Sequence, residues 1–184
     1  MTTRIEKAIE VAMRIHKGQK RKGDGVTPYV VHPVSVAMIL SRYTQDEDVL
    51  VAALLHDALE DTDYNPREMK KGFGAKVLSI VRDVSDQRPD DPWNIRKEAY
   101  LKHLKKASKE ACLVSCADKI NNLSSIREAY EQYGDRIWKS FNASKEAKIG
   151  FYAAICKEVG RRFKHPIVSE LRKELNKTKK YLNE

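Results

Sequence analysis

The chain is 184 residues long, 41% hydrophobic and 33% charged, and carries a formal charge of +9 at pH 7. That length and balance suit one domain with a real core and exclude a disordered chain; no apolar run approaches the roughly 18 residues that cross a bilayer. The positive excess would draw nucleic acid, an anionic membrane or a small polyphosphate, yet the chain holds neither an RNP-like aromatic pattern nor a paired-cysteine finger, so neither nucleic acid nor membrane is the expected partner.

In chain order, residues 3–17 place Ile5, Ala8, Ile9, Ala12, Met13 and Ile15 at mixed spacings of three and four, which predicts a helix. "KGQKRKGDGVTPY" follows as a polar, glycine-rich loop. His32-Pro33 opens a second helix through "VSVAMILSRY", with proline in a first-turn position that tolerates it. Asp46 or Asp48 is positioned to cap a helix over 48–59. "DTDYNP" is a turn, Asn65-Pro66 starts a short helix up to Gly72, and "GAKVLSIVRDVSD" is amphipathic. "DQRPDDPW" is the most loop-like stretch. Further helices are expected over 94–107, 108–130 (entered through Ser108), 135–162 and 167–181, the last two separated by His165-Pro166. The tail "SELRKELNKTKKYLNE" holds much of the charge excess and reads as a solvated helix. Strand signals are weak, and neither a repeat nor an interdomain linker is visible, so an all-α single domain is expected. The start lacks a signal-peptide core. The three cysteines are odd in number, with Cys112 and Cys116 one helical turn apart and no His/Cys pair at zinc-finger spacing after them. A cytosolic protein with reduced, partly buried thiols is the expectation.

The stretch "ALLHDALED", residues 53–61, sets three carboxylates and an imidazole among the most apolar residues of the chain. On a continuous helix of about 3.6 residues per turn with His56 at zero, Glu60 falls near ~40°, Asp57 near ~100° and Asp61 near ~140°. The four then share one polar stripe, with Leu54, Leu55, Ala58 and Leu59 on the remaining sides. Ionised carboxylates on a buried stripe repel one another and lose hydration, so they need a counter-charge. A divalent cation with an anionic substrate would supply it. The stretch alone is equally compatible with Glu60 and Asp61 pointing to solvent at a helix end and His56 sitting in the core.

Two other polar residues lie in similarly apolar surroundings: His32 in "PYVVHPVSVAMIL" and Asp118 in "CLVSCADKINNL". Taken singly, each reads as a hydrogen-bonded core group or a cap. Taken together with His56 and Asp57, they make a ligand set of two imidazoles and two carboxylates. Such a set with open positions suits a five- or six-coordinate ion such as Mn²⁺ or Fe²⁺, whereas a structural zinc favours a closed tetrahedral set with thiolates.

In this order and spacing the residues resemble the H…HD…D signature of the HD phosphohydrolase superfamily. "HKGQKRKGDGVTPYVVHP", "AALLHDALEDT", "FGAKVLSIVRDVSD", "IRKEAYLKHL", "CADKINNL" and "FNASKEAKIGFY" extend the likeness, over residues 5 to about 155, to the hydrolase domain of the RelA/SpoT family, in particular the stand-alone small alarmone hydrolases of the metazoan SpoT-homologue type. The resemblance implies an HD-type helical bundle and Mn²⁺-dependent removal of the 3′-pyrophosphate from ppGpp or pppGpp, leaving GDP or GTP. It implies His32, His56, Asp57 and Asp118 as metal ligands and Glu60 and Asp61 as the catalytic acidic pair. Arg21 corresponds to the residue that stacks on guanine, with Lys22 beside it. Asn122 corresponds to a nucleotide-contacting asparagine, and Lys145 falls where a basic phosphate contact is expected. A hydrolase domain over 1–160 with a basic helical extension over 161–184, and no synthetase or regulatory domain, completes the expectation.

The chain departs from the family in two places. The loop from Arg21 to Pro28 is longer than the R-K-S-G-x-P-Y form of bacterial enzymes and has the metazoan length. Val84-Ser85-Asp86 stands where V-T-K is usual. Both bear on base and phosphate selectivity more than on the metal. The alternatives are an HD phosphohydrolase acting on an adenine alarmone, a nucleoside monophosphate or NADPH, and a nucleotide-sensing HD module without turnover. Glu60 and Asp61 speak against the last.

Overall fold

The computed structural model describes residues 3–86 and 91–183. Within these, ten α-helices and one 3-10 helix form, and the only strand-like pairing is a lone antiparallel bridge between Lys20 and Pro28. The helices are α1 (Arg4–Ile15), α2 (Val31–Ser41), α3 (Glu47–Leu54), α4 (Ala58–Asp61), α5 (Pro66–Phe73), α6 (Ala75–Val84), α7 (Trp93–Leu104), α8 (Lys109–Tyr133), the 3-10 turn Gly134–Ser140, α9 (Lys145–Arg162) and α10 (Pro166–Asn183). Local chemistry sets many of the boundaries. Thr3 and Glu6 close a capping box on α1. Asp46, not Asp48, caps α3 by accepting from the Asp48 N–H. Asn65 and Pro66 start α5, and Ser108 starts α8. Gly134, at φ +58°, ends α8 in a conformation that L side chains rarely adopt. Of the loop-like "DQRPDDPW", residues 87–90 lie outside the described residues.

The long α8 is the axis of the molecule. It packs against α10, α2, α6 and α3. Residues 111–118 are buried without interruption, because Ala111, Cys112, Ser115, Cys116 and Ala117 are small enough to admit neighbours on every side. All three cysteines are buried and free.

Three sequence expectations are corrected. The helix expected over 48–59 stops at Leu54 and resumes at Ala58. The helix expected over 135–162 is divided by Phe141-Asn142-Ala143, after which Ser144 caps α9. The tail is not wholly solvated: Ile167, Leu171, Leu175, Thr178 and Leu182, spaced four, four, three and four apart, bury one face of α10. Arg127 of α8 pins that face by donating to Glu174 Oε2 at 2.5 Å and Thr178 Oγ1 at 2.7 Å.

Loop 16–30, between α1 and α2, folds back over α8. Gly23, at φ +116°, makes this approach possible: a Cβ there would lie 3.1 Å from Ala129 Cβ.

Candidate active site

The interruption between α3 and α4 builds the centre of the site. Leu55 leaves helical geometry at φ −115°, ψ 9°, and Asp57 follows at φ −93°, ψ −2°. The Ala53 carbonyl, which a continuous helix would offer to the Asp57 N–H, accepts His56 Nδ1–H at 2.8 Å. His56 and Asp57 therefore point into one cavity from a turn, and the 100° separation of a continuous helix does not apply to them. Asp57 in turn opens α4, its carbonyl accepting from Glu60 N and Asp61 N.

His32, in the first turn of α2, and Asp118, in mid-α8, complete the group; His32, His56 and Asp118 are all buried. Their three ligand atoms lie within 4.8 Å of one another. Asp57 Oδ2 is 3.5 Å from His32 Nε2 and 3.1 Å from His56 Nε2, while Asp118 Oδ1 is 3.2 Å and 3.8 Å from the same two nitrogens. His56 Nε2 is buried with no hydrogen-bond partner among the described residues. An unshared nitrogen aimed at two carboxylates, with each Nδ1 already engaged elsewhere, fits a divalent cation. The electrostatics agree. Burial opposes a charge on His56, but Asp57 and Asp118 push it up to about 9. Burial alone would raise Asp118, yet Lys119, His32 and His56 hold it well below the usual carboxylate range. Burial, by contrast, holds His32 below its ordinary range, so the two carboxylates favour a cation while His32 is kept a neutral imidazole.

Glu60 and Asp61 flank this centre differently. Glu60 Oε2 accepts the Asp86 N–H at 3.0 Å, and its Oε1 lies across from Arg96 at 3.8 Å. Burial lifts its pKa to about 7; Lys97 opposes that rise, and Asp86 and Asp57 add to it. Asp61 is more open, and burial and Asp57 raise its pKa too. Its carboxylate accepts from Tyr29 Oη at 3.1 Å and its carbonyl from Gln19 Nε2 at 2.9 Å.

Arg21 reaches the cavity across α8, donating to Asn122 Oδ1 at 3.2 Å and Ser125 Oγ at 3.3 Å. Asn122 Nδ2 donates to Asp118 Oδ1 at 2.5 Å, so one side chain joins the loop arginine to the metal-ligand candidate. Lys22 lies beside Arg21 on the cavity wall. Lys145 stands apart, its ammonium capping the Leu182 carbonyl at 3.2 Å. Lys148, one turn further along α9, faces the cavity over the Phe141 ring, and burial with Lys119, Lys22 and Lys97 nearby pushes its pKa down to about 8.

Several participants escaped the sequence reading. Tyr29 donates to Asp57 Oδ2 at 2.6 Å; its signal was its place three residues before His32. Asp86, noted only as a departure, is buried and pairs with Arg96 at 2.9 Å and Lys97 at 2.8 Å. Lys119 pairs with Asp118. The resulting cavity measures about 460 Å³, and its lining sets Arg21, Lys22, Arg96, Lys97, Lys119 and Lys148 around the carboxylates and imidazoles. That volume and charge suit a small polyanion.

A family model described as "HD domain" matches residues 8–147. The guanosine-3′,5′-bis(diphosphate) 3′-pyrophosphohydrolase MESH1 of Drosophila melanogaster is 37% identical over 128 residues, covering 68% of this chain and 71% of that protein. Its Xenopus tropicalis namesake is 41% identical over 125 residues, covering 67% and 69%. A solved structure described as a metazoan ortholog of SpoT that hydrolyzes ppGpp superposes with a TM-score of 0.78 at 28% identity, covering 97% of this chain and 94% of the other.

Proposed function

From the premise that this chain belongs to the HD-domain family, we propose that it is a metal-dependent hydrolase of guanosine-3′,5′-bis(diphosphate), releasing the 3′-pyrophosphate. The observation that carries this reading is the meeting of His32, His56, Asp57 and Asp118 beside Glu60 and Asp61, in a cavity whose other lining includes several lysines and arginines among aromatic rings. We take those four as the metal ligands and Mn²⁺ as the ion, since imidazole-containing sets suit Mn²⁺ better than Mg²⁺. We take residues 1–160 as the hydrolase domain and 161–184 as its helical extension, which the packing of α10 on α8 supports.

The bound ion would supply Lewis acidity, acidifying a water and offsetting phosphate charge. The chain supplies the rest. Glu60, with a proton affinity near neutrality, accepts the proton that the attacking water loses. Asp61, tied to Tyr29, orients the water beside it. Arg21 offers a flat guanidinium for a purine face, held in place by Asn122 and Ser125. Lys22, Lys97 and Lys148 meet phosphate charge in a site where burial makes each contact stronger than in water.

Pyrophosphate release from a panel of 3′-phosphorylated guanine and adenine nucleotides with Mn²⁺ tests the assignment. Preference for the guanine bis(diphosphate) supports it. Turnover of that nucleotide no faster than of unrelated ones rejects the substrate while sparing the hydrolase reading.

A further inference from the structure

The two histidines of the candidate metal site are held from behind in different ways. His56 Nδ1 meets a main-chain carbonyl, that of Ala53, which can only accept. His32 Nδ1 meets a side chain, Asn121 Oδ1, at 2.7 Å, brought from α8. A carboxamide both donates and accepts, so the orientation of this one amide decides where the single proton of a neutral His32 resides. His32, Asn121, Ser35, Ser125 and Gln132 also line a second cavity of about 340 Å³.

We propose that Asn121 is a positioning residue that fixes His32 as the Nδ1–H tautomer and so leaves its Nε2 lone pair for a cation shared with Asp57 and Asp118. The inference rests on the metal reading of the site. It makes the adjacent asparagines of α8 a pair with divided tasks: Asn121 orients an imidazole, and Asn122 orients a carboxylate and the loop arginine. Partners of this kind behind a ligating histidine change metal affinity by about 10- to 100-fold when removed.

The test uses the full chain with two substitutions. Asn121→Leu keeps a similar volume but offers no acceptor. Asn121→Asp offers an acceptor only. The His32 tautomer is read by ¹⁵N NMR in the protein loaded with diamagnetic Zn²⁺, Mn²⁺ affinity by calorimetry, and folding by thermal melts without metal. Wild type and Asn121→Asp should carry the proton on Nδ1 and bind Mn²⁺ comparably, whereas Asn121→Leu should lose the tautomer preference and bind about 10- to 100-fold more weakly. A wild-type His32 with its proton on Nε2 overturns the proposal, as does Mn²⁺ binding by a folded Asn121→Leu within about threefold of wild type. Should Asn121→Leu fail to fold, Asn121→Asp still decides: loss of the Nδ1 proton there overturns the proposal, and its retention supports it. A wild-type chain that bound neither Zn²⁺ nor Mn²⁺ would overturn the metal reading and the proposal that rests on it, an outcome distinct from an ion bound with the His32 proton on Nε2.

Discussion

Tyr29 donates its phenolic proton to Asp57 on Oδ2, the same carboxylate oxygen that faces both His32 and His56. Because the phenol also reaches Asp61 at 3.1 Å, one hydroxyl ties a candidate metal ligand to a candidate catalytic acid. Removing it in Tyr29→Phe should leave the fold intact, since the ring still rests against His16 and His32. Hydrogen bonds to charged groups are worth about 1.5–3 kcal/mol. kcat/KM should therefore fall by roughly 10- to 150-fold, measured by pyrophosphate release. A value within twofold of wild type would deny the phenol any part in the reaction.

Chelation should abolish activity, and Mn²⁺ should restore it better than Mg²⁺. His56→Ala and Asp57→Ala should each lose the ion, whereas Glu60→Ala should keep it and lose turnover. Calorimetry on the three variants checks this division. Loss of the ion from Glu60→Ala would move Glu60 into the ligand set.

The pH dependence follows from Glu60, whose pKa burial lifts to about 7. A general base works as the carboxylate, so kcat should climb as pH rises through about 7. For stability the sign is the reverse. The folded value lies above the ordinary 4.5, so the folded state binds the proton more tightly than the unfolded one. That contribution is complete below 4.5 and is lost as pH rises through about 7. Glu60→Gln should accordingly melt higher than wild type at pH 8 in the metal-free protein. A kcat that is flat from pH 5 to 8 would remove Glu60 as the base.

Arg21→Lys preserves charge but loses the plane that lies against a purine. By analogy with base stacking on aromatic side chains, the loss should be about 1–3 kcal/mol, or roughly 5- to 150-fold in kcat/KM. Metal affinity should not change. A silent substitution would leave Arg21 as a solvated charge.

Leu171→Ala or Leu175→Ala should destabilise the protein by about 2–5 kcal/mol, because each empties a buried position between α10 and α8. Urea denaturation measures it. Changes under about 0.5 kcal/mol, the range of exposed sites, would return the tail to solvent.

The sequence exposed those parts of the site that break a pattern. His32, His56, Asp57 and Asp118 are polar residues in apolar runs, and the structure gathers all four. The helical wheel through 53–61 failed at the residues it was drawn for, because nothing in "LLHDAL" announces a turn: there is neither glycine nor proline, and the His56 ring occupies a main-chain acceptor. Tyr29 stayed hidden because it is ordinary beside its neighbours and acquires meaning only from Asp57, 28 residues away, and Lys119 because a lysine next to an aspartate reads as an ordinary surface pair until burial is known. Lys148, not Lys145, faces the cavity, and along α9 two lysines three residues apart differ only in which way the helix turns them. In the tail, the density of lysine masked the four-four-three-four apolar spacing that buries α10.

The contact between Gly23 and Ala129 has a consequence for how such a chain can diverge. Neither residue reaches the cavity where chemistry would occur. Yet a Cβ at Gly23 would already sit 3.1 Å from Ala129 Cβ, tighter than ordinary contact, so a bulkier residue at either position should press the loop off α8 and shift Arg21 relative to Asn122 and Ser125. Substrate preference can thus drift through two small residues that a search confined to ligand contacts would pass over, while the machinery for cleavage stays untouched.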